Sequence, residues 1–539
     1  MPDSPAQDQV AELKRLAGAK FGELSEAEKR LVLAAPKGKL AVCGPNTDPD
    51  GPAYDPSKGE EWGPDREIRA DLIRWLCVDP RAKEFVDPKG ILVFGAKTKD
   101  PLDLSFVVVP FPLELGYCWL MNDLDLRGAE IPALNLPGSW VSSLLADGIN
   151  VKGGVFLRAG FHCKGEVRFL GAQIGGNLEC VGGTFENPAR GEGNGIALSA
   201  DRVVVKGSVL LRDSFGTEGE VRLLGAQIGG QLDCSCAKIG GTMLAQSAVI
   251  KVGLLWRGID PKDTVLDLTN ASADALGDEA ESWPATGHLF LDGFVYGRIS
   301  EGPTDARSRL AWLAREVPFK PQPYVQLAKV LRDGGDDDGA ATVLVEMERQ
   351  QRLSDGWAER PWDLLLRWTT GYGYRPLRAL GGLAALTGVG WIIYRRALLA
   401  KTIAPTDPEA YEWYKDKGQR PAHYVEFSPV MYSVENSLPL VKLGQADYWQ
   451  PDPKRIPILS EPLLRRVWRI VRTAFSPRFW GRVVRRCWRL AKSPQLFRRV
   501  FLRTTASPIF LQRFLWFQII LGWILATLFL AGVTGLIKR

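Results

Sequence analysis

One duplication constrains this chain more than any other feature. Residues Ala146 to Arg158 read almost as Ala200 to Arg212 do, and Gly165 to Cys180 almost as Gly219 to Cys234, both at an offset of 54 positions. A shared offset makes this one continuous unit used twice. Within each copy, short alternating runs such as Val167-Arg168-Phe169-Leu170 are cut by Gly-Ala and Gly-Gly pairs, which is how a chain coils into stacked rungs. The expected fold is therefore mainly β, a parallel β-helix (solenoid) over residues 81–303. The signature Gly-Ala-x-Ile stands at Gly128, Gly171 and Gly225, at intervals of 43 and 54, so each unit holds roughly two turns of about twenty residues. The longer interval contains Asn187 to Asn194, a stretch of loop composition. Insertions of that kind bulge from one face of a solenoid without breaking its stack, and such faces bind partners.

An open rung exposes strand edges and core, so both ends of the rod need covers. Residues 1–80 supply the first. Ser25 precedes Glu26-Ala27-Glu28 with the spacing of a helix start, and Ile68, Leu72, Ile73 and Leu76 recur at helical spacing in Asp65 to Cys77. Leu266-Asp267-Leu268 and Leu289 to Tyr296 read as closing rungs. Residues 304–370 then turn helical: Pro321 to Gly335 and Ala340 to Leu344 resemble the helical hairpin of a tetratricopeptide unit, expected here as a cap. The run Asp336-Asp337-Asp338 lacks the alternating ligands of a calcium loop and is expected to be a solvated turn.

The remaining residues, 371–539, carry membrane chemistry. Phe514 to Ile537 is apolar apart from Gln518 and two threonines, long enough to cross a hydrocarbon core. Ala379 to Ala400 gives a shorter second span. Between Lys454 and Arg503 the chain carries 15 Lys or Arg against one acid, Glu461, although the whole chain has a net charge of only +6. Arg465, Arg466, Arg469 and Arg472 alternate with Leu464, Val467, Trp468 and Ile470, and the theme returns at Arg485, Arg486 and Trp488. Pro477, Pro494 and Pro508 divide 454–512 into short helices. Interfacial helices on anionic lipid headgroups account for this composition, with Trp at the water boundary and Arg on phosphate. Nucleic acid is the rival partner for a basic stretch, but the apolar half of each helix has no use there. No apolar run opens the chain, so the soluble region is expected on the cytoplasmic side, with thiols kept reduced. Two spans then return both termini inside and export the Arg-rich stretch, against the positive-inside tendency, which weakens for so long a connection.

Phe427 to Gly444 lies between the spans and is moderately apolar. Span, semi-apolar segment with Tyr432 and Ser433, Gly-bearing turn, span: this is the layout of a two-span pore domain with a re-entrant loop. The stretch Pro439-Leu-Val-Lys442-Leu-Gly444 stands where a carbonyl cage belongs, and Lys442 is hostile to potassium. A re-entrant loop used for packing and a pore of other selectivity are the two expectations. Thr369 to Gly373 mimics a potassium filter but precedes the first span, so a turn is expected.

Catalytic signals are missing. The three histidines, His162, His288 and His423, have no metal or triad spacing, and no phosphate-binding or nucleophile-elbow motif occurs. Cys180 and Cys234 occupy equivalent repeat positions, as small apolar core fillers would. Cys234-Ser-Cys236 lacks the two-residue spacer of zinc and redox sites. No catalytic, metal or cofactor residue is expected.

Taken together, Trp62 to Cys77, the Gly-Ala-x-Ile rungs, Trp283-Pro284 with Leu291 to Phe294, Pro321 to Tyr324, Gly371 to Pro376 and Tyr432-Ser433 make the chain resemble a bacterial family of membrane-anchored, pentapeptide-like solenoid proteins, often labelled membrane-associated oxidoreductases. The resemblance covers most of the chain. It implies a layout, a right-handed β-helix tied to a two-helix membrane tail, and not an activity. The expected function is a non-catalytic scaffold presenting a rigid cytoplasmic surface to a protein partner, held at the bacterial inner membrane. A channel-like homo-oligomer is the alternative, and an oxidoreductase the third.

Overall fold

The computed structural model describes residues 5–45, 51–188, 195–354, 366–438, 441–452 and 507–534. They belong to two compact units, Met1–Gln351 and Arg352–Arg539. The loop-like insertion at 189–194 and the basic stretch expected to form interfacial helices lie outside the described residues, the latter apart from its last residues, where the second apolar helix begins.

The first unit is a parallel β-solenoid of about nine turns. Its strands are two to seven residues long, and each pairs in parallel with its counterpart one turn on. Val155 faces Leu178 and Val204 faces Gln227, a rise of 23 residues per turn, whereas Gln173 faces Val204, a turn of 31. One long and one ordinary turn together make up the 54-residue offset. The longer turn is the one that holds the insertion. Inward side chains stack in columns: Leu102, Leu124, Leu144, Val167, Leu198, Val221, Met243, Leu266 and Leu289 follow one another through the register, each 3% exposed or less. Burying each such side chain is worth roughly 1.5–3 kcal/mol, and the column continues as long as every turn supplies its apolar residue.

The corners explain why the repeat is visible only every second turn. Phe106, Gly128, Gly148, Gly171, Arg202, Gly225, Ser247, Asn270 and Gly293 occupy the same corner of successive turns, all with left-handed backbone (φ 56° to 80°). Gly171 and Gly225 adopt it without steric cost, and the alanine after each tucks fully into the core. Intervening turns make the same bend with Gly148-Ile149, Arg202-Val203 or Ser247-Ala248, so the motif lapses while the geometry persists. Phe106 is the bulkiest exception; its ring lies where a side chain on Gly128 would go.

The duplication also preserves an ion pair between turns. Arg168 reaches Asp147 at 2.5 Å and Arg222 reaches Asp201 at 2.7 Å, and the second oxygen of each carboxylate accepts the N–H of Leu170 or Leu224. Partly buried pairs near the surface contribute modest stability; their geometry fixes register. Cys180 and Cys234 stack in one interior column with Leu157 and Leu211, fully buried, and burial pushes both thiols up. Cys236, by contrast, sits exposed on a left-handed corner. The Cys-x-Cys pair thus points one sulfur into the core and one into solvent, and the seven cysteines among the described residues are free thiols.

The N-terminal cover is built around one carboxylate. Ser25 and Glu28 form a reciprocal capping box at the start of helix Glu26–Ala34. Glu28, only 2% exposed, also takes the Arg69 guanidinium at 2.6 and 2.7 Å, and Arg69 donates onward to the carbonyl of Phe21. Arg69 is the residue before helix Ala70–Val78, so two cap helices are locked together at their starts. Ala41 and Val42 add a parallel edge strand to Val93 and Phe94, an element too short to leave a periodic trace in the sequence. Burial pushes the Glu28 carboxyl up, but Arg69 and the N–H groups of Ser25 and Arg69 outweigh it and hold the group below its usual range. A lowered carboxyl stabilises the fold above its unfolded value, near 4.5, and that stability is lost as pH falls through the folded value. Glu28→Gln is therefore expected to be less stable than the parent at pH 7 and to lose less on acidification below about pH 4.5, measured by thermal unfolding across the pH range.

At the far end, side chains of the helical cap satisfy the last rung's backbone. Glu316 accepts the N–H groups of Leu291 and Asp292, Gln322 accepts that of Gly293, and Gln326 donates to the carbonyl of Tyr296 at 2.6 Å. The backbone from Leu291 to Tyr296 is thereby covered, while most of the strand beyond it, Gly297 to Glu301, is exposed. Arg309, on helix Ala306–Leu313, is fully buried and meets Asp278 through two bonds of 2.7 Å, while Trp283 Nε1 donates to the same carboxylate at 2.8 Å. The Trp283 and Trp312 rings sit 5.6 and 5.3 Å from the guanidinium. Helices Gln322–Asp333 and Asp337–Ser354 follow, and Asp336 caps the second by accepting the N–H of Gly339; of the run expected as a solvated turn, Asp337 and Asp338 form the first turn of this helix.

Candidate functional site

The second unit contains two helices long and apolar enough to cross a membrane, Leu377–Leu399 and Pro508–Val533, about 35 and 39 Å long. They run antiparallel, with Gly532 against Pro376, Gly382 against Leu525 and Tyr394 against Phe514. Most of each surface is open: Val389, Ile392, Phe517, Ile520 and Leu530 are 47–61% exposed, as lipid-facing residues are and core residues are not. Thr370 to Tyr374 form a tight turn before the first helix, with Gly371, Tyr372 and Gly373 left-handed. The filter-like sequence is thus a turn.

Between the two helices is wedged a third, short one, Pro429–Ser437, started by Ser428 accepting from Met431. Tyr432, Ser433, Asn436 and Ser437 of this wedge helix are buried. Ser433 and Ser437 converge on Gln518, which lies one turn past Arg513 within the apolar run of the second helix and is itself fully buried. Its Nε2 donates to Ser437 Oγ at 2.7 Å, Ser433 Oγ at 3.0 Å and the Ser433 carbonyl at 3.1 Å, and its Oε1 accepts from Tyr394 Oη at 2.8 Å. Ser433 Oγ in turn donates to the carbonyl of Thr387 at 2.7 Å. One amide therefore ties the wedge to both long helices. Two glycines make the approach possible: a Cβ on Gly390 would collide with Ser433 and Gln518, and one on Gly522 with the backbone of Ser437.

The wedge runs inward. Its N-terminal side packs Tyr432 and Phe427 with Tyr394, Trp449 and Leu511, near one end of the long helices. Its C-terminal Leu438 joins Leu383, Leu386, Leu521 and Leu525, near their mid-length. The chain then comes back: Gly444 bends left-handed (φ 74°), and Glu435 accepts the N–H groups of Gly444, Gln445 and Ala446. Trp449–Pro451 pairs antiparallel with Ile403–Pro405, closing the base. Within the described residues the segment is packed between the two apolar helices and leads back to the base.

Of the residues singled out in the sequence, Tyr432 and Ser433 meet the long helices, Gly444 makes the return bend, and Lys442 is exposed on the return limb. Pro439 lies outside the described residues, as do Arg465, Arg466, Trp468, Arg469, Arg472, Arg485, Arg486 and Trp488. Gln518, Tyr394, Thr387, Ser437, Gly390 and Gly522 were missed as parts of the site. Gln518 alone had left a signal, as the polar interruption of an apolar run.

The solenoid offers a different surface. On one wall a shallow cavity of about 510 Å³ has Val204, Val205, Ile228 and Val249 beside Lys206 and Lys251. Among the described residues no group of three or more metal-ligating side chains converges. Comparison of the chain with models of known protein families, with curated proteins and with solved structures finds no match.

Proposed function

We propose that this protein is a membrane-anchored, non-catalytic scaffold whose solenoid presents a rigid side wall to a protein partner. The observation that carries the reading is the cover that the chain's own segments form at both solenoid ends: at one, cap helices joined by Glu28–Arg69 with Ala41–Val42 paired to the first rung, and at the other a cap helix bonded to the rung through Asp278–Arg309. With its ends covered, a repeat rod cannot grow, and its side walls are the surface left for recognition. The valine-floored, lysine-flanked cavity at Val204 and Lys251 suits an apolar segment bearing acidic residues. The two apolar helices supply the anchor, and the basic 454–512 stretch supplies affinity for anionic headgroups. The expected setting is the bacterial inner membrane with the solenoid on the cytoplasmic side. Deleting residues 370–539 is expected to release the protein into the soluble fraction after cell lysis. Continued co-sedimentation of the truncated chain with membranes would end the anchoring half of this proposal.

A second reading, a pore-domain-like channel, is favoured by the segment packed between the two long helices, read as a re-entrant loop. Such loops line conduction paths, and an exposed lysine on the return limb favours anions. Purified protein in planar bilayers is then expected to pass chloride in preference to potassium, and Lys442→Glu to reverse that preference. Silence from both proteins removes the channel.

A further inference from the structure

The solenoid wall that holds the shallow cavity carries lysines in a fixed rhythm. Val151, Ile174, Val205, Ile228 and Ile250 pair from turn to turn and point inward, so the residue after each points out. Those residues are Lys152, Gly175, Lys206, Gly229 and Lys251, a lysine on every second turn. Backbone sterics enforce the glycines between them. A Cβ on Gly175 would come within 2.1 Å of the Lys152 carbonyl oxygen, and one on Gly229 within 2.2 Å of that of Lys206, so no side chain can fill the gaps. Adjacent turns lie about 4.8 Å apart, which spaces the lysines at roughly 10 Å along the rod. Beside this row Val204 and Val249 take outward positions at the same two-turn interval, with Gln227 between them, and floor the cavity. The charges are also unanswered. Arg127, Arg168, Arg222 and Arg257 each meet a carboxylate at 2.5–2.7 Å, whereas Lys152, Lys206 and Lys251 are exposed and have no ion pair among the described residues. The insertion at 189–194 joins two strands of the other sheet, Thr184–Glu186 and Ile196–Ser199, so both its ends lie off this wall.

We infer that this wall is the seat of an acidic amphipathic helix of the partner, lying along the rod with a carboxylate on every seventh residue and an apolar residue next to each. Seven residues of α-helix rise about 10.5 Å and return to nearly the same face, so successive carboxylates meet Lys152, Lys206 and Lys251 in turn. Adjacent helical residues point about 100° apart, which sets the helix axis above the strip between the lysine row and the valines and turns the apolar residues onto Val204 and Val249. Other polyanions fit less well. In an extended strand three residues also span about 10 Å, but the first and the fourth point to opposite faces. Nucleic acid has no use for a valine floor, and a flat anionic bilayer leaves the concavity unfilled. The inference rests on the proposal that the side wall receives a protein partner, and it specifies that partner's chemistry.

The test uses the full chain in mild detergent and a fluorescent synthetic helical peptide of about three heptads, with glutamate at every seventh position and leucine beside each. Fluorescence anisotropy is expected to show it binding roughly ten-fold more tightly than an isomer of the same composition whose glutamates stand five residues apart and so point in different directions. Lys206→Glu, an exposed substitution at the centre of the row, is expected to abolish that preference. Lys238→Glu, exposed on the other sheet, is expected to leave it unchanged. A preference that survives Lys206→Glu overturns the inference. Equal binding of the two peptides, lost in Lys206→Glu, overturns the helix but leaves the wall as the partner's seat. Binding of neither peptide overturns the inference and removes the cavity from the scaffold proposal, whose anchoring half is measured separately by the deletion of 370–539. Capture of phosphatidylglycerol vesicles through Lys206, with no preference between the peptides, assigns the row to lipid and overturns it as well.

Discussion

Arg309→Leu is expected to destabilise the solenoid by roughly 3–5 kcal/mol, the largest effect of any single side chain in the first unit. The substitution removes a guanidinium that is 0% exposed and leaves Asp278, 2% exposed, with a charge answered only by the Trp283 N–H. A buried pair contributes little net stability, since desolvating both ions nearly cancels their attraction, but removing one partner strands the other. The carbonyl of Pro303 also loses its donor, Arg309 Nε at 2.6 Å. The measurement is the midpoint of denaturant unfolding followed by the β-sheet signal of the full chain. The double variant Arg309→Leu with Asp278→Leu is expected to recover part of the loss, because no lone charge remains. If the single and double variants unfold together at the parent midpoint, Arg309 does not clamp the cap.

Gly390→Val is expected to expel the wedge helix Pro429–Ser437 from between the two apolar helices. The new side chain would occupy the space of Ser433 Oγ and come within 2.6 Å of Gln518 Nε2. Neither can yield, because Ser433 is bonded to Thr387 and Gln518 to three residues. Residues around Gly444 should become cleavable by a mild protease in detergent, with the rate rising at least ten-fold. Gln518→Leu is expected to act in the same direction but more weakly. It fits the space and forfeits the bonds to Tyr394, Ser433 and Ser437, each worth about 0.6 kcal/mol in an apolar medium. Equal resistance of all three proteins would show that the amide does not hold the wedge.

The charge pattern of the solenoid ends gives these effects a common cause. At both ends a buried carboxylate takes an arginine: Glu28 and Arg69 join two helices of the N-terminal cap to each other, whereas Asp278 on a rung strand takes Arg309 from the C-terminal cap helix. An apolar cap could slide over the last rung, whereas the two bonds of Arg309 to Asp278 allow one position only. The wedge helix is held by the same device in neutral form, with the Gln518 amide in place of the ion pair.

What the sequence determined by itself was periodicity. The offset of 54, the Gly-Ala-x-Ile corners and the equivalent cysteines follow from local requirements, an apolar residue facing inward at each rung and a left-handed bend after it, so each turn records its own geometry. The long apolar runs and the segment between them were legible for the same reason. Tertiary structure alone decided which distant residues would meet. Arg309 and Asp278 are 31 residues apart and Tyr394 and Gln518 are 124, and no local pattern links their positions. Whether the segment from Phe427 to Gly444 would enter between the long helices depended on two glycines leaving room and on one glutamine replacing the water that its serines would otherwise need.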